Sequence, residues 1–371
     1  MKFQRIAKLP MAVILLFCGV VASIPLCCAV VAQGVSSDRS SVADVRIGVL
    51  GLFRPIEFTV TASGNSALVL RTDEERIVLE KSSGVDSASV RVSGKDMEVS
   101  VGTRVVRVSK LAVSGRNAQT VDFVLAVPNK IARRYHGTLE IKSSGVTLIA
   151  IVAMNRETAV ASVVAAENPS DTPFEALKAQ AVAARSYFAA SRGRHHDFDF
   201  CDTTHCQFLR EPPPPESAAA RAVAATRDLV LAYESQPIPA MYTRSCSGRT
   251  RTPAELGFSS AAYPYYPVEC QYCRSHPFHW SSRISAQDAA ALRTPNESAR
   301  LKIVRRLGWS AIPSNDFLAK TESDHVILNG TGEGHGIGLC QSGARAMADE
   351  GADFRQILTH YYPNTTIVRW P

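Results

Sequence analysis

The sequence predicts an α+β fold: an N-terminal antiparallel β-rich domain followed by a mixed helix/strand core. Three observations predict it. From Asp44 to about Ala153 the chain is written in short Val/Ile-rich runs of alternating polarity, broken by Gly, Ser, Asn and Asp. After Asn155 it turns Ala-rich, with helical spacing of apolar residues. Nothing repeats at a fixed period, and the strand text and helix text segregate instead of alternating. The 371 residues, 46% hydrophobic and 20% charged, are enough for a β domain over 44–153 and a second region over 154–371.

The first 34 residues are an address. Lys2, Arg5 and Lys8 precede a stretch from Leu9 to Gly34 without charge. That stretch exceeds the ~7–15 residues of a signal-peptide core and reaches the ~20 needed to span a bilayer. Val30-Val31-Ala32 offers a cleavage site, so cleaved signal and retained membrane anchor both stay open. Positive charge ahead of the stretch keeps that end cytoplasmic, which puts the rest of the chain outside the cytoplasm. Residues 35–43 are a Ser-rich linker. Without residues 1–32 the net charge of +7 falls to +4. That balance suits an anionic surface but is no nucleic-acid signature, and no nucleic-acid motif is present. Setting Cys18, Cys27 and Cys28 aside leaves six of nine cysteines. An even number in an oxidising compartment permits disulfides or a metal.

Strands are expected at "VRIGVLG", "EFTVTAS", "ALVLRT", "RIVLEK", "ASVRVSG", "MEVSVG", "RVVRVSK", "GTLEIKSS" and "VTLIAIVAM". Helices follow at "ETAVASVVAAE", "PFEALKAQAVAARSYFAASR", "ESAAARAVAATRD", "SAQDAAALR" and "DFRQILTHYY". Between the second and third helices, "RHHDFDFCDTTHCQFLREPPPPE" ends in four prolines that mark an exposed loop.

Two glutamates flank the first helix break. Thr172-Pro173-Phe174-Glu175 has the pattern of a capping box, which accounts for Glu175 structurally. Glu167 has no such account. Asn168-Pro169 stops the helix, so Glu167 falls in its last turn, at the negative end of the helix dipole. Packed by Val163, Val164 and Ala166, its carboxyl would hold a proton near neutral pH, as a general acid must. The bland reading is an exposed carboxylate at a frayed end.

Two further stretches carry chemistry. His195, His196, Cys201, His205 and Cys206 crowd into twelve residues. Zinc takes Cys and His tetrahedrally. His205 and Cys206 would point opposite ways on an extended backbone. The first ligand set is therefore His195, Cys201 and Cys206, with the fourth position left to water, substrate or His205. A Cys201–Cys206 disulfide is the competing reading. In "GTGEGHGIGLCQSGA" glycine recurs at 330, 332, 334, 336 and 338. In a strand this leaves one face bare, for a flat sugar ring or another backbone. Thr331, Glu333, His335, Ile337 and Leu339 would share the other face, and Gln341 and Ser342 open the next helix. Cys270-x-x-Cys273 stays open between disulfide, metal half-site and free thiols. "YPYYP" and Trp280 are aromatic surface or core packing.

At this point the residues resemble a family. "AAENP…FEALKAQAVAARSYF", "DFDFCDTTHCQ", "PIPAMYTRSCSGRT" and "GHGIGLCQSGARAMADEGADFRQILTHYYPNTTI" are similar, in order, to the SpoIID/LytB family over residues 150–371. The resemblance implies a peptidoglycan lytic transglycosylase that favours glycan strands stripped of stem peptides. Its catalytic glutamate falls on Glu167. The resemblance also implies a bound zinc in the His/Cys stretch, mainly structural, and places His335 near the substrate groove. Tyr242, Ser245, Ser247, Thr250 and Gln341 become candidates for holding sugar. Arg249 stands where a second glycine is expected, Glu333 where an aromatic or basic residue is, and Cys340 where serine is. Two other readings stay open: a non-catalytic enhancer of a partner cell-wall amidase, and a zinc-dependent hydrolase.

Overall fold

The computed structural model describes residues 44–259 and 263–370. The leader and linker expected over residues 1–43 lie outside the described residues. Among the described residues no helix is long and apolar enough to cross a membrane.

The fold is α+β. Eleven strands come first: β1 (Asp44–Val49), β2 (Glu57–Ala62), β3 (Leu68–Arg71), β4 (Arg76–Leu79), β5 (Ser87–Ser93), β6 (Asp96–Val101), β7 (Arg104–Val108), β8 (Lys110–Ser114), β9 (Val121–Val127), β10 (Ile131–Ser143) and β11 (Leu148–Asn155). Burial alternates along β2 and β9, so one face of each meets the core and the other meets water. β10 joins the two halves of the sheet. Its first seven residues pair with β9, and its last six pair with β11. At the changeover, Gly137 lies against the Ala153 carbonyl, where a Cβ would overlap it. β8 and β9 escape the sequence reading. "KLAVS" and "VDFVLAV" carry strand residues, and Gly115, Asn117 and Pro128-Asn129 are the turn signals that would have set them apart.

β11 runs directly into α1 (Arg156–Glu167), because Asn155 caps the helix by accepting the Glu157 N–H at 2.9 Å. α2 (Phe174–Ala190) packs beside it. Arg185 of α2 is fully buried, yet its guanidinium makes two 2.7 Å bonds to the Glu157 carboxylate and a third to the Leu229 carbonyl. Partnered in this way, a buried charge is tolerated. The Glu175 capping box does not form. No side chain caps α2, and Glu175 instead accepts the Phe354 N–H at 2.9 Å. Its role remains structural, but it ties α2 to a helix far along the chain.

Next come β12 (Phe200–Cys201), α3 (Ala218–Ala225), β13 (Leu229–Tyr233), β14 (Gln236–Pro237), β15 (Tyr242–Thr243), α4 (Gln271–Ser275), β16 (His279–Ser285), α5 (Ala286–Ala290), α6 (Glu297–Leu307), β17 (Phe317–Glu322), β18 (His325–Thr331), β19 (Leu339–Cys340), α7 (Gln341–Asp349), α8 (Phe354–Tyr361) and β20 (Thr366–Arg369). β12 pairs parallel with the edge strand β1, Ile47 opposite Phe200. One core is shared by the sheet and α1–α3. A second lies between α2, β13, α7 and α8, and includes four cysteines. A third is formed by β16, β18 and α6. Tyr263 and Tyr265 of "YPYYP" are core residues of the second. Trp280 lies over Gly330, edge-on to Phe317.

Candidate active site

Glu167 ends α1. Asn168 leaves the helix in extended geometry, and its side chain donates back to the Val164 carbonyl at 2.9 Å. Val163 and Val164 are buried beneath the last turn. Burial pushes the Glu167 carboxyl up to about 7, while the Phe208 backbone and the Arg244 charge pull it back. The carboxyl thus divides its time between both protonation states near neutral pH. Arg244 and Gln341 each reach the Glu167 carbonyl at 3.4 Å. They satisfy a helix end that would otherwise be bare.

Tyr242 is the neighbour with most consequence. Its hydroxyl donates to Gln207 at 3.1 Å, and Gln207 donates to the Ala184 carbonyl at 3.2 Å. Burial and the Glu167 charge both hold the Tyr242 hydroxyl well above its ordinary value, so it stays protonated. The sequence reading did not single out Gln207, although it follows Cys206 in the same motif. Nor did it find Gln180, a buried amide on α2 beside Tyr242.

The sugar-holding candidates divide. Gln341 opens α7 next to Glu167. Ser245 is buried, and its hydroxyl lies 3.4 Å from the Cys273 sulfur. Ser247 has left-handed backbone geometry and packs its hydroxyl against Gly332. Thr250 accepts the Val268 N–H at 2.8 Å. The His335 ring takes the Ile337 N–H on Nδ1 at 3.0 Å. Burial holds that imidazole below its ordinary value, so it is neutral at pH 7.

The glycine run is not a strand. β18 ends at Thr331, and Gly332, Gly334, Gly336 and Gly338 all have positive φ. What approaches them is the chain itself: the Ser245 carbonyl and Ser247 hydroxyl at Gly332, the Thr243 hydroxyl at Gly334, the Arg251 side chain at Gly336 and the Met241 carbonyl at Gly338. Alternation alone cannot separate a bare-faced strand from a run of left-handed turns, because glycine suits both. Glu333 is exposed, and its backbone pairs with Ser245. Arg249 bonds Glu255 at 2.6 Å on the surface.

The His/Cys stretch closes on itself. His195 Nε2 lies 3.3 Å from Cys206 Sγ, and His205 Nδ1 lies 3.6 Å from Cys206 Sγ and 3.8 Å from Cys201 Sγ. All four donor atoms fall within 4.8 Å of one another. The expectation that His205 and Cys206 diverge is wrong here. A turn, Cys206 N–H to Thr203 carbonyl at 3.0 Å, replaces the extended backbone and aims both inward. His196 points into solvent beside Asp197. The cradle is set by β12 at the sheet edge and by Phe198, whose ring packs on His195 and fills the space over Gly48. A second group, Cys246, Cys270, Cys273 and Cys340, also holds its four sulfurs within 4.8 Å, all buried.

An α+β fold with a desolvated carboxyl at a helix end, near a His/Cys cradle, defines the class of site. Comparison with known proteins places it further. Residues 144–233 match the SpoIID family, described as Stage II sporulation protein. The chain is 27% identical over 254 residues to Stage II sporulation protein D of Bacillus amyloliquefaciens, covering 56% of this chain and 72% of that one. It is 29% identical over 267 residues to an uncharacterized protein of Brachyspira hyodysenteriae, covering 63% and 72%. It is 24% identical over 282 residues to the amidase enhancer of Bacillus subtilis, covering 55% of this chain and 39% of that protein. The SpoIID match and these named relatives support placing the chain with the SpoIID/LytB family.

Proposed function

We propose that this protein acts outside the cytoplasm as a lytic transglycosylase on peptidoglycan glycan strands, with Glu167 as both acid and base. The observation that carries this reading is the Glu167 carboxyl at the end of α1, raised to about 7 by burial. Among the described residues, the groups acting on its charge are the Phe208 backbone and Arg244, and neither is a carboxylate. A hydrolase needs a second acid to activate water or to form a glycosyl intermediate. Transglycosylation does not. Glu167 protonates the oxygen of the MurNAc–GlcNAc bond as that bond breaks. The resulting carboxylate takes the proton of the MurNAc C6 hydroxyl, whose oxygen closes on C1. One proton leaves Glu167 and one returns, and the sugar supplies its own nucleophile. Tyr242, kept protonated, packs beside the carboxyl, and Gln341 and Arg244 fix the helix end that carries it.

The His195, Cys201, His205, Cys206 cradle fits zinc. In a tetrahedral site a nitrogen–sulfur edge is about 3.6 Å, given Zn–N near 2.0–2.1 Å and Zn–S near 2.3 Å. The observed pairs run from 3.3 to 3.8 Å. Four protein donors make a closed site, which supports a structural ion. Its residues hold the strand after which Gln207 and Phe208 reach Tyr242 and Glu167.

The test incubates the full chain, wild type and Glu167→Gln, with peptide-free glycan strands and reads the products by mass spectrometry. A 1,6-anhydro product from wild type, and none from folded Glu167→Gln, is expected. Reducing-end products would move the assignment to hydrolysis. Bound glycan without product from either chain would favour the reading suggested by the amidase-enhancer relative, a non-catalytic partner of a wall amidase.

A further inference from the structure

The second sulfur cluster is not used by the proposed reaction, and its geometry speaks for itself. Cys246 follows β15, Cys270 and Cys273 bracket the start of α4, and Cys340 ends β19. Three chain segments therefore converge on one point inside the second core. Cys273 and Cys340 lie 3.5 Å apart. Two sulfurs bound to one zinc are separated by about 3.8 Å, given Zn–S near 2.3 Å, whereas a disulfide needs about 2.0 Å. Room for one ion among four sulfurs suits a mononuclear site.

The surroundings match a set of thiolates. The Tyr361 hydroxyl is 3.5 Å from Cys270, the Ser245 hydroxyl 3.4 Å from Cys273, and the Gly343 N–H donates to Cys340 at 3.5 Å. Three of the four sulfurs thus have a donor in contact, the outer-shell support that metal ligands carry. Gly343 is needed for this closeness, since a Cβ there would overlap the Tyr361 hydroxyl and the Cys270 sulfur. Cys340 takes the N-cap place of α7, where serine is usual, and keeps the capping bond through sulfur.

We propose that Cys246, Cys270, Cys273 and Cys340 form a structural four-thiolate zinc site, separate from the His/Cys cradle. All four ligands come from protein, so the ion is closed to substrate. Its effect is on position. Cys340 immediately precedes Gln341, Cys246 lies two residues after Arg244, and those two side chains hold the Glu167 carbonyl. The zinc fastens the two segments together. The site does not depend on the reaction proposed above, and a chain with Glu167→Gln binds the same ion.

The decisive material is full-length chain carrying Cys201→Ser and Cys206→Ser, which removes the first cradle. Elemental analysis should find one zinc per chain, and zinc X-ray absorption a shell of four sulfurs at about 2.3 Å with no nitrogen. The reciprocal Cys270→Ser/Cys273→Ser chain should lose that zinc. If neither variant folds, wild type decides: two zincs per chain, averaging three sulfurs and one nitrogen each. A mixed shell in the first variant, iron in place of zinc, no metal, or a disulfide between any two of the four cysteines would overturn the proposal.

Discussion

The two sulfur-bearing clusters are built in opposite ways. The first takes His195, Cys201, His205 and Cys206 from twelve consecutive residues at the edge of the sheet. The second takes Cys246, Cys270, Cys273 and Cys340 from segments up to 94 positions apart and buries them in a core. The first can close once a single loop has turned. The second can close only when β15, α4 and α7 have met. Glu167 lies between their territories: Phe208, just past the first cluster, acts on its carboxyl, while Arg244 and Gln341, beside the second, hold its carbonyl. A local cradle shapes one loop, whereas a distributed one joins parts of the fold.

The first expected effect follows from that difference. A cross-link stabilises by closing a loop, and the entropy of closure grows with the logarithm of loop length. Closing 94 positions instead of 11 adds about 2 kcal/mol. Cys273→Ser should therefore destabilise the zinc-loaded chain by about 2 kcal/mol more than Cys201→Ser, read as urea unfolding at fixed free zinc. Equal losses would break the comparison and make the second cluster four packed thiols.

Legibility in the sequence divides along the same line. The first cluster was readable because its donors are close in the chain, although an extended backbone was assumed where a turn runs. The second was not, because spacing ties Cys270 only to Cys273. Nothing in the sequence brings Cys246 and Cys340 to them, and Cys340 registered only as a departure from serine. Glu167 was readable because Asn168-Pro169 fixes the helix end locally. The Glu175 capping box failed because a tertiary partner, the Phe354 N–H, outcompeted the local one. Most strands followed from alternation, but β16 and β17 lie in polar text, "HWSSRIS" and "FLAKTE", where only pairing with β18 reveals them.

Glu167 offers the next effect, because both clusters border it. Burial raises its carboxyl from an ordinary 4.5 to about 7, so the folded state holds the proton more tightly than the unfolded state. Stability from this group is complete below 4.5 and is lost as pH rises through 7, by up to about 3 kcal/mol. Glu167→Gln should thus gain on wild type between pH 5 and pH 8 in thermal melts. For the proposed reaction, kcat/KM should fall as pH climbs through about 7, where Glu167 as the proposed acid would lose its proton. A flat stability difference would mean that the carboxyl is solvated. In Cys270→Ser/Cys273→Ser the same difference should shrink, since looser segments admit water.

Gly343→Ala probes the second cluster without removing a ligand. The added methyl meets the Tyr361 hydroxyl and the Cys270 sulfur, and overpacking of this kind costs about 1–3 kcal/mol. The expected signature is a chain that keeps its first zinc and binds the second more weakly under chelator titration. Unchanged retention of both would show that the α7 turn has more room than the structure gives it.

The smallest effect tests how far adjacency in sequence can mislead. His195 and His196 are neighbours with the same side chain, yet only His195 faces Cys206, while the His196 side chain is 98% exposed. An exposed substitution away from packing changes stability by no more than about 0.5 kcal/mol. His196→Ala should therefore leave zinc content and melting unchanged, whereas His195→Ala should release zinc from the first cradle at lower chelator concentration. The contrast is between two residues one peptide bond apart, so it isolates direction from position. If both substitutions release zinc alike, the cradle is not the arrangement seen around Cys206, and the local half of the comparison fails.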